Sequence, residues 1–362
     1  MPLETPLMEM HKTAGATIGE YFGTLLPSRF GDFAAEYKAL RETMGLIDTN
    51  YRAFFSFTGP DRQRYVNALL TSNVRDLKPG QGAVGLLLNP QGHILAEVEA
   101  FLLENSILAS THAMIRERTF STFEKFIIMD DVTLEDITLA TGTLDLVGPR
   151  TAAVLEKLGM SNFKDMTVLA HAEFTVGTIS CRLVRREIGG EAAATLIVAR
   201  EHLPGLWQEL ANRVRAEGGS PVGMDALNSV RLESGIAWFG HDYDDKQIPH
   251  EAGLEHSHIS YEKGCYTGQE IVERVRSRGH ANRRLTELRF FSTEAPAPGA
   301  KLMSGESEIG SVTSAAFSPV LDQPIGLGYL RREHSALGTR MDAAGIPAEV
   351  IAPPLSSKKM SV

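Results

Sequence analysis

One stretch of the chain gathers reactive side chains: YEKGCYTGQEIVERVRSRGHANRRL, Tyr261 to Leu285. The sequence holds only two cysteines, Cys181 and Cys265. Cys265 stands here, beside Lys263, between Gly264 and Gly268 and ahead of a run of arginines. Thr267 and Glu270 have the T-x-x-E spacing of a capping box, which predicts a helix with Thr267 as N-cap and Glu270 at N3. Ile271, Val272 and Val275 would give that helix its buried face, and Gly279 would end it. The thiol would then lie two residues before the positive end of the helix dipole and close to an ammonium. Both favour thiolate, so a lowered pKa is expected if Cys265 is functional. The alternative is a small side chain filling a turn, with no chemistry.

Two neighbouring patterns carry the same choice. Arg274, Arg276, Arg278, His280, Arg283 and Arg284 either line an anion site, through guanidinium forks, or form a solvated face balanced by Glu270 and Glu273. Upstream, GHDYDDKQIPHEAGLEHSH holds His241, Asp242, Asp244, Asp245, His250, His256 and His258. It has no helical ligand pair and contains Pro249, so a polar surface loop is expected rather than a metal centre. Cys181 is isolated and no C-x-x-C spacing occurs, so no metal site is expected. No phosphate-cradling P-loop, G-x-G-x-x-G after a strand, or G-x-S-x-G elbow is present.

The elements that must position these residues are legible as two similar units and a third of different texture. DFAAEYKALRETMG, Asp32 to Gly45, puts Phe33, Tyr37, Leu40 and Met44 on one helical face, with Gly45 as the stop. AFFSFT then reads as a strand ending at Gly59, with a helix opening at Pro60. AVGLLL and HILAEVEAFLLE flank the turn Asn89-Pro90-Gln91-Gly92 as a hairpin. SILAS is a further strand, and His112 to Met129 has helical spacing through Ile115, Phe123, Phe126 and Ile127. The order repeats from LDLVGP: a strand ending at Gly148-Pro149, a helix, the hairpin SCRLVRRE and ATLIVA, and a helix carrying Leu206, Leu210 and Val214. We read this as an internal duplication of split-βαβ, ferredoxin-like α+β units, the alternative being two coincidental Gly-Pro turns. After Leu285 only short apolar stretches cut by Gly, Pro and Ser remain, the pattern of a small β-barrel.

At 362 residues with 43% apolar and 22% charged side chains, the chain has the composition of a globular protein of two or three domains. Its net charge of −9 argues against a nucleic-acid partner. No window reaches the length of a membrane span, so no membrane partner is expected. The N-terminus lacks the features of a signal or transit peptide, and the sparse cysteines fit a reducing compartment, so the expected location is the cytoplasm.

KGCYTGQE, Lys263 to Glu270, resembles the signature of the YgfZ-type folate-binding proteins, relatives of the glycine-cleavage T-protein (aminomethyltransferase, GcvT). ALRETMGLIDTN, FTGPDRQRYVNALLTSNVRDLKPGQG, LLNPQGHILAE, DALNSVRLESGIAWFGHDYD and IPHEAGLE are similar to further segments of that superfamily, in the same order. The octapeptide is specific to the branch, and the other segments are shared with true aminomethyltransferases. The resemblance runs from about Gly15 to Leu285, and more loosely through the last domain. It implies an α+β, T-protein-like fold: two ferredoxin-like units around a central channel plus a C-terminal β-barrel. The implied boundaries are 1–284 for the folate-binding region, in units of approximately 1–140 and 141–284, then 285–355 for the barrel and 356–362 for a tail.

It also implies tetrahydrofolate as cofactor and, for the YgfZ branch, support of iron–sulfur protein assembly or repair through the cysteine matched by Cys265, with iron–sulfur client proteins as partners. The alternative is a folate-dependent aminomethyltransferase or related demethylase. T-proteins share an Asp-Asp pair after the hairpin glycine, and here that pair is Ala96-Glu97. Glu97 keeps a carboxylate on a longer arm, and a misplacement of about 1 Å can cost on the order of a hundredfold in rate. In the family's GYTGExGxE-like hairpin, Glu191 keeps the first glutamate, while the second position falls on Thr195. Arg231 matches an arginine near folate. The resemblance thus places Cys265 and Glu97 in catalysis, and Glu191, Arg231, Lys263, Tyr266 and Gln269 around the cofactor.

Overall fold

The structure is a computed structural model and describes residues 2–353. The expected tail, 356–362, lies outside the described residues. The chain forms two compact units. One takes the residues up to Leu87, Ala96–Leu227 and Ser260–Tyr266; the other takes Leu88–Leu95, Asn228–Ile259 and the described residues from Thr267 on.

The first unit holds two large sheets. The five-stranded sheet runs, by neighbour, Gly82–Leu88, Ile94–Leu102, Ile107–His112, Arg52–Thr58 and Thr133–Asp136. The six-stranded sheet runs His171–Val176, Ile179–Ile188, Glu191–Ala199, Thr141–Val147, Gly45–Asp48 and Ser220–Pro221. Both hairpins read from the sequence are present, as are the strands before the two Gly-Pro pairs. Each sheet is mixed with helices in the α+β manner expected. Leu203–Ala216 buries Leu206, Trp207, Leu210 and Val214 against the six-stranded sheet, in a core with Leu144, Leu146, Leu183 and Leu196. Phe54, Phe101 and Leu108 of the five-stranded sheet form one cluster with Val184 and Ile197 of the six-stranded sheet. Two sheet faces therefore meet here, and the alternation of side chains along each strand decides which neighbours meet with them.

The helix expected over 32–45 is shorter, Phe33–Glu42, with the Asp32 carboxylate capping Ala35 N–H at 3.0 Å. Gly45 does not stop it but starts the strand Gly45–Asp48, which the six-stranded sheet needs as a partner for Thr141–Val147. The helix after Pro60 likewise begins later, at Arg62.

In the second unit the C-terminal strands close into a six-stranded barrel: Arg283–Phe290, Gln323–Arg331, Ser307–Ser318, Lys301–Ser304, Arg340–Ala343 and Ile346–Val350. Its inward positions supply Leu288, Phe290, Leu302, Val312, Leu330 and Met341 to a common core. No helix among the described residues is long and apolar enough to cross a membrane.

Candidate functional site

The facing sheets of the first unit enclose a group of charges that the sequence alone did not single out. Along Ile94–Leu102, Glu97, Glu99 and Phe101 share one face, because strand side chains alternate. Phe101 packs into the inter-sheet cluster, so the two carboxylates point the same way. Glu97 is half-buried and Glu99 is buried. Arg52 reaches Glu99 from the neighbouring part of the same sheet, Nη1 to Oε2 at 2.9 Å, and donates to Ser110 Oγ at 3.3 Å. Arg186 reaches Glu99 from the other sheet through both terminal nitrogens, with Nη2 to Oε2 at 2.7 Å.

A carboxylate shared by two guanidiniums is the condition under which a buried charge is tolerated. Burial opposes the ionised form of Glu99, and Arg186 and then Arg52 more than offset it, so its pKa lies below the usual carboxylate value. Burial likewise opposes the charge on Arg52, and the Glu99 carboxylate leads the groups that outweigh it and raise its pKa.

Arg186 extends the chain of contacts to a third carboxylate. Its Nε donates to Thr195 Oγ1 at 3.1 Å, and Thr195 in turn hydrogen-bonds Asp145. Thr195 and Asp145 are direct cross-strand partners. Asp145 is buried, and burial raises its pKa despite Arg186 and Arg52 nearby. Glu191 is buried on the same strand face as Thr195, four residues away at the start of Glu191–Ala199. The inter-sheet space thus gathers Glu97, Glu99 and Asp145 with Arg52 and Arg186, while Glu191 lies further along the strand of Thr195. Buried carboxylates pushed in opposite directions by their surroundings, as Glu99 and Asp145 are, are what proton-transfer sites are built from. One sequence signal would have found the missed members: charged residues inside otherwise apolar strands, as in AEVEAFLL and CRLVRRE, are rare unless paired.

The thiol loop is built differently from its expectation. Lys263 is buried, and its ammonium does not face Cys265. Nζ donates to the carbonyls of Asn67, Leu70 and Ser72, the last two at 2.5 and 3.0 Å. These carbonyls lie at the end of the helix Arg62–Leu69 and just past it, so Lys263 caps a helix C-terminus. Burial, with a smaller contribution from Arg75, lowers its pKa to about 8. Its ammonium also lies 5.3 Å from the centre of the buried Tyr266 ring. Cys265, between these two anchored side chains, is exposed, while Cys181 is buried and burial pushes its thiol up to about 12.

The helix beyond runs Gln269–Arg278, and its N-cap is Gly268, not Thr267. Gly268 takes φ +82°, and a Cβ there would sit 2.6 Å from the Asn89 carbonyl oxygen of the hairpin turn. That close approach fixes the chain in a conformation that only glycine adopts readily, and it displaces the capping box by one residue. Cys265 therefore stands three positions ahead of the N-cap, and Gln269 opens the helix.

Arg231 belongs to the second unit, in Met224–Glu233, and is almost fully buried. It donates to Asn228 Oδ1 at 2.8 Å, Ile236 O at 2.9 Å and Asp242 Oδ2 at 2.5 Å, and lies 4.4 Å from the Trp238 ring centre. The surface-loop expectation for 240–258 holds only in part: His241, Asp245 and His256 are exposed, whereas Gln247, His250 and Glu255 are buried, as is Asp242, the anion that Arg231 requires. No group of metal-ligating side chains occurs among the described residues.

A reduced pterin needs hydrogen-bond acceptors, above all carboxylates, for its amino and ring N–H groups. The carboxylate missing at Thr195 is present directly across the ladder at Asp145, and Glu191 and Glu97 supply two more.

Comparison with known proteins gives the family. Residues 7–260 match the family model described as the GCVT N-terminal domain, and residues 283–356 match the glycine cleavage T-protein C-terminal barrel domain. An aminomethyltransferase of Streptomyces coelicolor is 29% identical over 366 residues, covering 98% of each chain. One from Desulforamulus reducens is 26% identical over 339 residues, covering 93% of this chain and 92% of its own. The crystal structure of glycine cleavage system aminomethyltransferase T from Bartonella henselae superposes with a TM-score of 0.87 over 98% of both chains, at 24% identity, which speaks to the fold.

Proposed function

We infer a function from one premise: this chain belongs to the glycine cleavage T-protein family. We propose that it binds a reduced folate and transfers a one-carbon unit, in the manner of an aminomethyltransferase. The observation that carries this reading is the set of buried and half-buried carboxylates on facing sheets, within a chain whose full-length relatives are named aminomethyltransferases. Asp145 and Glu191 would hold the pterin's N–H groups. Bound tetrahydrofolate would supply the nucleophilic nitrogen that accepts the one-carbon unit.

The chain's own residues account for the rest. Glu97, half-buried, would take or hold a proton at its carboxylate. Glu99 does not compete for that proton, since Arg52 and Arg186 keep it ionised. The Arg186–Thr195–Asp145 chain fixes the acceptor geometry across the sheets. Apolar walls of Phe54, Phe101 and Ile197 keep water away and strengthen each of these interactions.

The test is tetrahydrofolate-dependent release of a one-carbon unit from a methylamine or methyl donor. Activity that collapses in Glu97→Ala and survives in Cys265→Ser is the expected result. Turnover indifferent to Glu97→Ala would remove the transferase reading.

A second reading has one observation in its favour. Cys265 is exposed on a loop held at both sides, while Cys181 is buried. That supports a YgfZ-type role, in which a folate-bound protein assists iron–sulfur assembly or repair and meets client proteins through this thiol. Under it, client enzyme activity is lost with Cys265→Ser and unaffected by Glu97→Ala.

A further inference from the structure

The rim of the barrel carries a charge arrangement that strand pairing disfavours. Arg283–Phe290 pairs antiparallel with Gln323–Arg331, and the register sets Arg283 directly opposite Arg331. Like charges directly opposite one another destabilise an antiparallel pair. The next residue, Arg332, donates its backbone N–H to the Asn282 carbonyl at 3.0 Å, which ties a third guanidinium to the same end of the ladder. Arg283 is held by Glu251, with contacts of 2.9 and 3.3 Å, and lies 5.1 Å from the Tyr329 ring centre. Arg331 and Arg332 are exposed and have no ion-pair partner among the described residues.

These arginines and His280 border an open cleft of about 800 Å³ that also includes Glu251 and Glu333. A smaller cleft of about 240 Å³ shares His280 and Arg332 and adds Arg276 and Arg284, opposed by Glu255. Arg284 approaches Glu255 only to 3.6 Å. Five guanidiniums thus border these clefts with Glu251, Glu255 and Glu333, and Arg276 also pairs with Glu273 at 3.5 Å, on a molecule whose net charge is −9. Glu251 answers the charge of Arg283 but no ion pair answers Arg331 or Arg332 among the described residues, and a local rule broken with only partial compensation is where a functional reason is sought.

We propose that this rim binds a small polyanion, a ligand bearing two or more carboxylate or phosphate groups. An oxyanion placed between Arg283 and Arg331 would turn their repulsion into two attractions. The exposed forks of Arg331 and Arg332 match planar carboxylate or tetrahedral phosphate oxygens in pairs. The larger cleft has the volume of a small-molecule site. The site lies wholly in the second unit and stands whether or not the chain binds folate.

Calorimetric titration of the full chain with pyrophosphate, and separately with tricarballylate, tests it. Saturable binding of at least one probe is expected, weakened about tenfold in Arg332→Ser and in Arg331→Ser and further in the double variant. Binding should also weaken as salt rises. Arg331→Lys, which keeps the charge but not the fork, should fall between. Arg340→Ser, on another barrel strand, should bind as the wild type does. Heat from pyrophosphate alone assigns phosphate chemistry, and heat from tricarballylate alone assigns carboxylates. Without any probe, Arg331→Ser should raise the thermal midpoint slightly, because it relieves the cross-strand repulsion. An affinity unchanged in the double variant, or no saturable heat from either probe, overturns the proposal.

Discussion

Glu99 is the residue on which the inter-sheet charges depend, and its removal separates structural from chemical roles. Glu99→Gln leaves Arg52 and Arg186 buried without their shared anion and should cost about 3–5 kcal/mol, measured by urea unfolding. Glu97→Ala, at a half-buried position, should cost under about 1 kcal/mol and act on turnover instead. If the two losses of stability are equal, the charges are not arranged as described. His171 offers a pH test in the same unit. Burial, with Arg182 close by, lowers its pKa from 6.5 to about 4. Between those values the unfolded chain binds the proton more readily than the fold does, so stability falls as pH drops from about 6.5 to about 4. That acid limb should be worth on the order of 2 kcal/mol and should be missing in His171→Gln. An unchanged limb in the variant would assign the effect elsewhere.

The thiol loop is held by two devices of different kinds. Lys263→Met removes three hydrogen bonds to helix-end carbonyls and should cost roughly 2–4 kcal/mol. Gly268→Ala forces a side chain into positive φ against the Asn89 carbonyl, and should cost more than about 1 kcal/mol. At Gly264 a Cβ meets nothing within 4 Å, so Gly264→Ala should be nearly neutral in the same unfolding assay. The repeated strand, Gly-Pro, helix and hairpin order was legible because apolar periodicity and turn residues are local signals. The N-cap was misplaced by one residue because Gly268 answers to a hairpin turn more than 170 positions earlier, which no local pattern reports. The role of Lys263 was hidden for the same reason, since its carbonyl partners lie in the first unit's early helix. Glu97 and Glu191 were legible from resemblance. Glu99, Arg52, Arg186 and Asp145 were not, because their meeting depends on which faces of two sheets oppose one another.

At the scale of the whole molecule, family membership gives the fold, and the proposed chemistry rests on the facing sheets of one unit. The relatives named aminomethyltransferases match over nearly the full chain. The proposed site turns on the placement of its acids: Thr195 stands where the resemblance expects a glutamate, and Asp145 stands across the ladder. Calorimetric titration with tetrahydrofolate, of the wild type, Asp145→Asn and Cys265→Ser side by side, tests that placement most directly. The account predicts saturable binding to the wild type and to Cys265→Ser, and an affinity at least about tenfold weaker in Asp145→Asn. No saturable heat from the wild type, or an Asp145→Asn variant that binds as tightly as the wild type, would contradict it.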